Sequence, residues 1–135
     1  MVPAECCELT ASCAFRTVDC TAHDDASLDF CVPFRLTAAA AGVATSFVIH
    51  FDTLFDLSKQ GGKATSFTTS PLHTPTHWKQ ASLYLNAPLK LQEGDVVAGT
   101  IAFSRGIDYK RAYDITMSFE VPRGGGAVTQ LWRIV

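Results

Sequence analysis

An antiparallel all-β domain, sandwich or barrel, is the fold class this sequence predicts, and three observations predict it. Apolar residues recur at every second position over long stretches, the mark of strands with one wet face. Turn signals, most of them carrying glycine, separate those stretches at short spacing. Helical signals are almost missing. At 135 residues the chain reads as a single domain, 1–135, long enough to bury roughly two-thirds of its unfolded surface.

The elements follow in order. Leu9–Asp19 reads as a weak first strand. Asp24–Phe30 then carries the one helical start signal, with Asp24 or Asp25 as cap before Ala26, Ser27 and Leu28. Phe30–Thr37 is a second weak strand, and Ala38–Ala41 leaves turn and helix both open. Val43, Thr45, Phe47, Ile49 and Phe51 alternate against Ala44, Ser46, Val48, His50 and Asp52, a strong strand. Ala64–Thr68 and Trp78–Leu85 are weaker. Val97, Gly99, Ile101 and Phe103 give another strand. The cleanest alternation comes next: Tyr113, Ile115, Met117, Phe119 and Val121 on one face, Ala112, Asp114, Thr116, Ser118 and Glu120 on the other. Val128–Ile134 closes the series. Lys59–Gly62, Gln92–Asp95, Ser104–Asp108 and Pro122–Gly126 supply the turns, each with glycine where positive φ is cheap.

Composition narrows the function classes. A net charge of -2 gives no basic footprint for nucleic acid or anionic lipid. No apolar stretch is long enough to span a bilayer, and Glu5 and Glu8 interrupt any signal-peptide pattern. Five cysteines, Cys6, Cys7, Cys13, Cys20 and Cys31, crowd the first 31 residues without a Cys-x-x-Cys. An odd number would leave one thiol over from any disulfide framework, so reduced thiols and an intracellular setting, cytoplasmic or nuclear, are expected.

The candidate site lies in Phe67–Gln80. Pro71 and Pro75 hold this segment out of helix, and it delivers His77 and Trp78 together at the start of an apolar run. A titratable ring beside a large aromatic on a loop suggests a binding site. The same prolines rule out the helix on which His73 and His77, four apart, would share a metal, so no metal site is expected. His50 is read as filling a wet strand face, and His23 as exposed. Gly124-Gly125-Gly126 after Arg123 is a hairpin turn rather than a phosphate loop, because a strand follows it. Arg105-Gly106 and Arg123-Gly124 look like arginine–glycine methylation targets. No serine sits in a glycine-flanked nucleophile elbow. The acidic residues scatter over turns and wet faces.

Thr76-His77-Trp78-Lys79-Gln80 resembles the threonine–histidine–tryptophan loop of the protein arginine N-methyltransferase family, type I-like members in particular. The likeness continues in Leu9–Asp19, Ser27–Phe30, Pro33–Leu36, Phe47–Asp52, Phe67–Pro71, Leu83–Leu85, Pro88-Leu89, Gly94-Asp95, Gly99–Ile101 and Arg111–Asp114. It runs in one order from about Leu9 to Val121; beyond that the fit is loose.

The resemblance implies a C-terminal antiparallel β-barrel, open or incomplete here, with one or two short helical turns. It also implies a parent enzyme whose N-terminal domain binds S-adenosylmethionine and grips the substrate guanidinium with paired glutamates. Neither a cofactor motif nor the double-glutamate loop stands in this sequence, and the dimerisation arm is missing as well. The chain is therefore expected to bind no cofactor and to be inactive alone. By resemblance, His77 is the catalytic-cleft residue, pairing with an acidic group of the absent domain. Thr76, His77 and Trp78 line the arginine pocket. The implied partners are arginine-containing protein substrates, the N-terminal catalytic domain and further copies of the chain, with no nucleic acid and no membrane. The barrel of an inactive paralogue serving as regulatory partner is the second reading, and a free-standing small-ligand barrel a third.

Overall fold

The computed structural model describes residues 9–22, 24–106 and 111–134. Eight strands carry it: β1 (Phe30–Thr37), β2 (Gly42–Ile49), β3 (Asp52–Phe55), β4 (Thr65–Thr68), β5 (Ala81–Leu91), β6 (Val96–Arg105), β7 (Tyr113–Val121) and β8 (Gly126–Ile134). Three short 3₁₀ turns, Asp25–Leu28, Ser58–Gln60 and Pro122–Gly124, are the helical structure among the described residues. The chain divides into two compact units: Thr45–Leu85 belongs to the first, and Leu9–Ala44 with Asn86–Val135 forms the second. Strands β2 and β5 pair with each other, and each runs from one unit into the other.

The second unit is built on a four-stranded antiparallel sheet in the order β1-β6-β7-β8. Alternation decides which side is dry. In β7, Ile115, Met117 and Phe119 are buried while Thr116 and Ser118 are half-buried and Glu120 is exposed. Val97 and Ile101 of β6, Phe34 of β1, and Leu89 and Leu91 of β5 are buried as well. Pro33 is tolerated in β1 because that strand is an edge, where a missing backbone donor costs no ladder bond. Two charged pairs add cross-links. Arg133 donates to both Asp114 oxygens at 2.7 and 2.9 Å across the β7–β8 register. The backbone N and the guanidinium of Arg105 both donate to Asp29, at 2.7 Å and at 2.9 and 3.2 Å. These arginine hydrogen bonds hold both carboxyls below the usual aspartate range.

Gly99 sets the spacing of the sheet. The register places Phe34, Gly99 and Phe119 in one row across three strands. A Cβ on the glycine would overlap the Ser118 carbonyl. Two buried phenylalanines therefore flank a position that must stay empty.

Several expectations need correcting. The described strands make one four-stranded and two two-stranded sheets, and none closes into a barrel. Alternation reports which face is wet, whereas closure depends on edge pairing between remote strands. Leu9–Asp19 is irregular. It is held by a single bridge from Thr10 to Ala38 and by the Phe15 ring stacked on Phe103, so its apolar residues anchor it without a ladder. The strand expected through Asp52 stops at Ile49 and resumes as β3. The last of the weak central strands starts at Ala81, not Trp78, and runs on through Pro88 to Leu91. Ala38–Ala41 is a connection, with Ala38 buried between Asp95 O and Gly94 N. Asp24 is the cap of the first helical turn, accepting from Ser27 N. Cys13, Cys20 and Cys31 are free thiols. Cys6, Cys7 and His23 lie outside the described residues, as does part of the Ser104–Asp108 turn.

Gly99→Ala is expected to lower stability by at least about 1–3 kcal/mol, because the backbone of β7 must retreat. Urea unfolding followed by circular dichroism measures it.

Candidate functional site: an aromatic row on a pinned loop

The first unit holds the predicted site. Its frame is the antiparallel β3–β4 hairpin, in which Thr53 pairs with Phe67 and Phe55 with Thr65. Period 2 then puts Phe55 and Phe67 on one face of the hairpin. The turn between the strands uses Gly61 at φ 76, a left-handed position that suits glycine.

The loop after β4 is fixed at both ends through one residue. Thr69 is buried, at 2% exposure. Its hydroxyl accepts from Phe51 N and donates to Phe51 O, both at 3.0 Å, while its own N donates to Phe51 O at 2.9 Å. Gln80, at the far end of the loop, donates from Nε2 to Thr69 O at 2.7 Å. This side-chain clamp stands where a ladder partner would be, which is why the long strand breaks at His50 and Phe51. Between the anchors, Ser70 N bonds to Thr68 Oγ1 and His73 N to Ser70 O. Thr76 Oγ1 donates to Trp78 O at 3.0 Å, closing a tight local bend around His77.

That bend lays the rings out in a row. His77 and Trp78 have centroids 3.8 Å apart, tilted by 36°. Trp78 stacks on Phe67 at 5.0 Å and 16°, and Phe67 on Phe55 at 6.3 Å and 30°. Phe51 meets Trp78 and Phe67 edge-on at 6.4 and 6.0 Å. Offset and edge-to-face geometries of this kind each stabilise by about 0.5–1.5 kcal/mol beyond area burial. Yet the row is not a core. His77 is exposed, and Phe51, Phe55 and Trp78 are about half-exposed. Leu54, Leu57 and Leu72 of the same unit are exposed too. Phe51, Phe55 and Trp78, exposed yet joined by ring contacts directly or through Phe67, make an apolar surface of the kind that marks an interaction site.

Thr76, His77 and Trp78, singled out from sequence, therefore sit on one short bend. Phe67, the first residue of the candidate segment, joins them with Phe51 and Phe55, which sequence reasoning missed because strand alternation assigns them to a sheet face and cannot show that a loop ring will meet them. His73 is exposed and makes no part of the row. His50 does not fill a wet face: its side chain is 18% exposed, with Nδ1 at 3.8 Å from Asp52 Oδ1. Among the described residues no group of three or more His, Cys, Asp or Glu side chains gathers to hold a metal. No α-helix occurs among them either, so the strand–loop–helix cradle of a nucleotide-like cofactor is not formed there.

Comparison with known proteins adds the following. A family model described as the arginine methyltransferase oligomerization subdomain matches residues 3–124. Protein arginine N-methyltransferase 1.1 of Arabidopsis thaliana is 31% identical over 113 residues, which cover 84% of this chain and 28% of the relative. A ribosomal protein arginine N-methyltransferase of Schizosaccharomyces pombe is 35% identical over 113 residues, covering 79% of this chain and 20% of the relative. The chain thus spans less than a third of the length of these relatives. Among solved structures, the Trypanosoma brucei PRMT1 enzyme–prozyme heterotetrameric complex with AdoHcy matches with TM-score 0.83 and 27% identity, over 94% of this chain and 40% of that one. Arabidopsis thaliana protein arginine methyltransferase 10 shares the fold, with TM-score 0.85 at 18% identity over 94% of this chain and 39% of that one.

Because Trp78 is 45% exposed, Trp78→Ala is expected to cost about 1–3 kcal/mol, below the roughly 3–5 kcal/mol of a fully buried ring. Chemical denaturation monitored by far-ultraviolet circular dichroism decides between the two.

Proposed function

This chain belongs to the protein arginine methyltransferase family, as a C-terminal domain of it, and we propose that it forms one wall of the substrate cleft in a parent that methylates protein arginines with S-adenosylmethionine. The observation that carries the reading is the aromatic row: His77 and Trp78 are presented, half-exposed and pinned, inside the segment with the family's loop sequence. Trp78 shapes the arginine pocket, Thr76 fixes the bend, and His77 pairs with a carboxylate of the catalytic domain. The exposed apolar face around them is what that domain covers. Arginine-containing proteins are the substrates.

The chemistry fits this division of labour. Methyl transfer to a guanidinium is an in-line displacement, so rate comes from positioning and water exclusion, which a rigid aromatic wall supplies. The described residues offer no cofactor cradle, and no methyl-transfer step is assigned to them. Assembly into oligomers is supported by the description of the matched family model and by the heterotetrameric relative. Action inside the cell, in cytoplasm or nucleus, follows from the same reading together with the free thiols at Cys13, Cys20 and Cys31.

A regulatory role beside an active subunit is the second reading, supported by the likeness to a Trypanosoma brucei complex of enzyme with prozyme. Activity of the complete parent separates the two.

Titration calorimetry of the isolated chain with S-adenosylmethionine is expected to show no saturable heat; a stoichiometric isotherm overturns the assignment of cofactor binding to the other domain. In the complete parent, His77→Ala is expected to lower kcat/KM by about 3–5 kcal/mol, the cost of leaving a buried charge unpaired. Near-normal kcat/KM in a folded variant removes His77 from the proposed role.

A further inference from the structure

We propose that Arg123 is itself a methyl acceptor, modified in trans by an S-adenosylmethionine-dependent arginine methyltransferase. Three features of the β7–β8 turn carry this. The first is access. Arg123, Gly124, Gly125 and Gly126 are all exposed, and the three glycines place no side chain in the way of an approaching active site. The second is backbone strain. Arg123 has φ 60, the one non-glycine residue in the left-handed region among those described. Unbending the turn into an enzyme's cleft relieves that conformation, and the neighbouring glycines bend freely.

The third feature is the division of labour within the guanidinium. Nη2 donates to Lys90 O at 2.6 Å and lies 3.2 Å from Asp95 Oδ2. Both contacts fall on that one nitrogen, so Nη1 is left without a hydrogen bond among the described residues. Other arginines are held differently. Arg105, also followed by glycine, is tied to Asp29 through its backbone N, Nε and Nη2, and ends strand β6. Arg133 grips Asp114 with two nitrogens and has no glycine after it.

The step balances. Nη1 attacks the methyl carbon of the sulfonium donor, a nitrogen–carbon bond forms, and the sulfur–carbon bond breaks with its electron pair going to sulfur. The donor leaves as a neutral thioether, and the Nη1 proton passes to a base of the enzyme. The guanidinium keeps its charge, so the pair with Asp95 survives. One or two methyl groups on Nη1 leave the Nη2 contacts intact. A methyl on Nη2 would displace one of them. Methylation at Nη1 therefore leaves the turn able to re-form both Nη2 contacts after release.

The proposal rests on the methyltransferase reading only for the kind of chemistry, because the test supplies the enzyme separately. The purified chain is incubated with an active arginine methyltransferase of the family and methyl-labelled S-adenosylmethionine, beside a Gly-Arg-rich control peptide. Peptide mass spectrometry is expected to find methylation at Arg123 at least about tenfold above Arg105, whose guanidinium is held by charge-assisted bonds. Arg123→Lys, which keeps a cation beside Asp95, should lose the label. A labelled control with unlabelled Arg123, or equal labelling of Arg105, overturns the proposal. The parent's own turnover of the control peptide, measured apart, reports on the proposed function instead.

Discussion

The hydroxyl of Thr69 is the contact on which the site depends. It takes both backbone groups of Phe51, and its residue's carbonyl takes the amide of Gln80. One buried side chain thereby ends a strand, starts a hairpin and closes a loop. Buried hydrogen bonds of this type are modest in net worth, about 0.5–1.5 kcal/mol each, but costly to leave half-made. The loop has little else to define it: two prolines, a run of small polar residues, and no ladder bonds. The clamp sets where the loop begins and ends, and the Thr76 bend then sets Trp78 against Phe67.

The aromatic row shows how a loop gains rigidity from a surface rather than a core. Phe67 and Phe55 are spaced by the pleat of the hairpin, and Trp78 is set on that spacing by the bend that Thr76 closes. Each ring is partly wet, so the row gains its order from edge and face geometry more than from burial. A wall built in this way keeps its apolar face available. The second unit does the opposite, placing Ile115, Met117 and Phe119 where water is absent.

Much of this was legible in the residues. Tyr113–Val121 reads as a strand with the observed bounds, because its alternation is unbroken and both of its neighbours pair along it. The turn at Gly94 was equally plain, and the helical cap was narrowed to Asp24 or Asp25, of which the structure uses Asp24, since this chemistry is local. What failed was non-local. Leu9–Asp19 alternates like a strand but finds a ring and one bridge instead of a partner. The break at Phe51 follows from a threonine 18 residues away. For the site, the sequence marked Thr76, His77 and Trp78, and could not mark Phe51 or Phe55, whose membership depends on where a ring from another segment comes to rest.

The two tryptophans of this chain are divided between its two units, Trp78 in the first and Trp132 in the second. Their surroundings differ in kind. Trp78 stacks on Phe67 and lies against the tilted His77 ring, whereas Trp132 stands opposite Ile115 on the edge strand β8. The chain thus carries a built-in pair of optical labels, one for each body. Cooperativity between the two bodies can be read from the light they emit, without adding a dye or altering a residue.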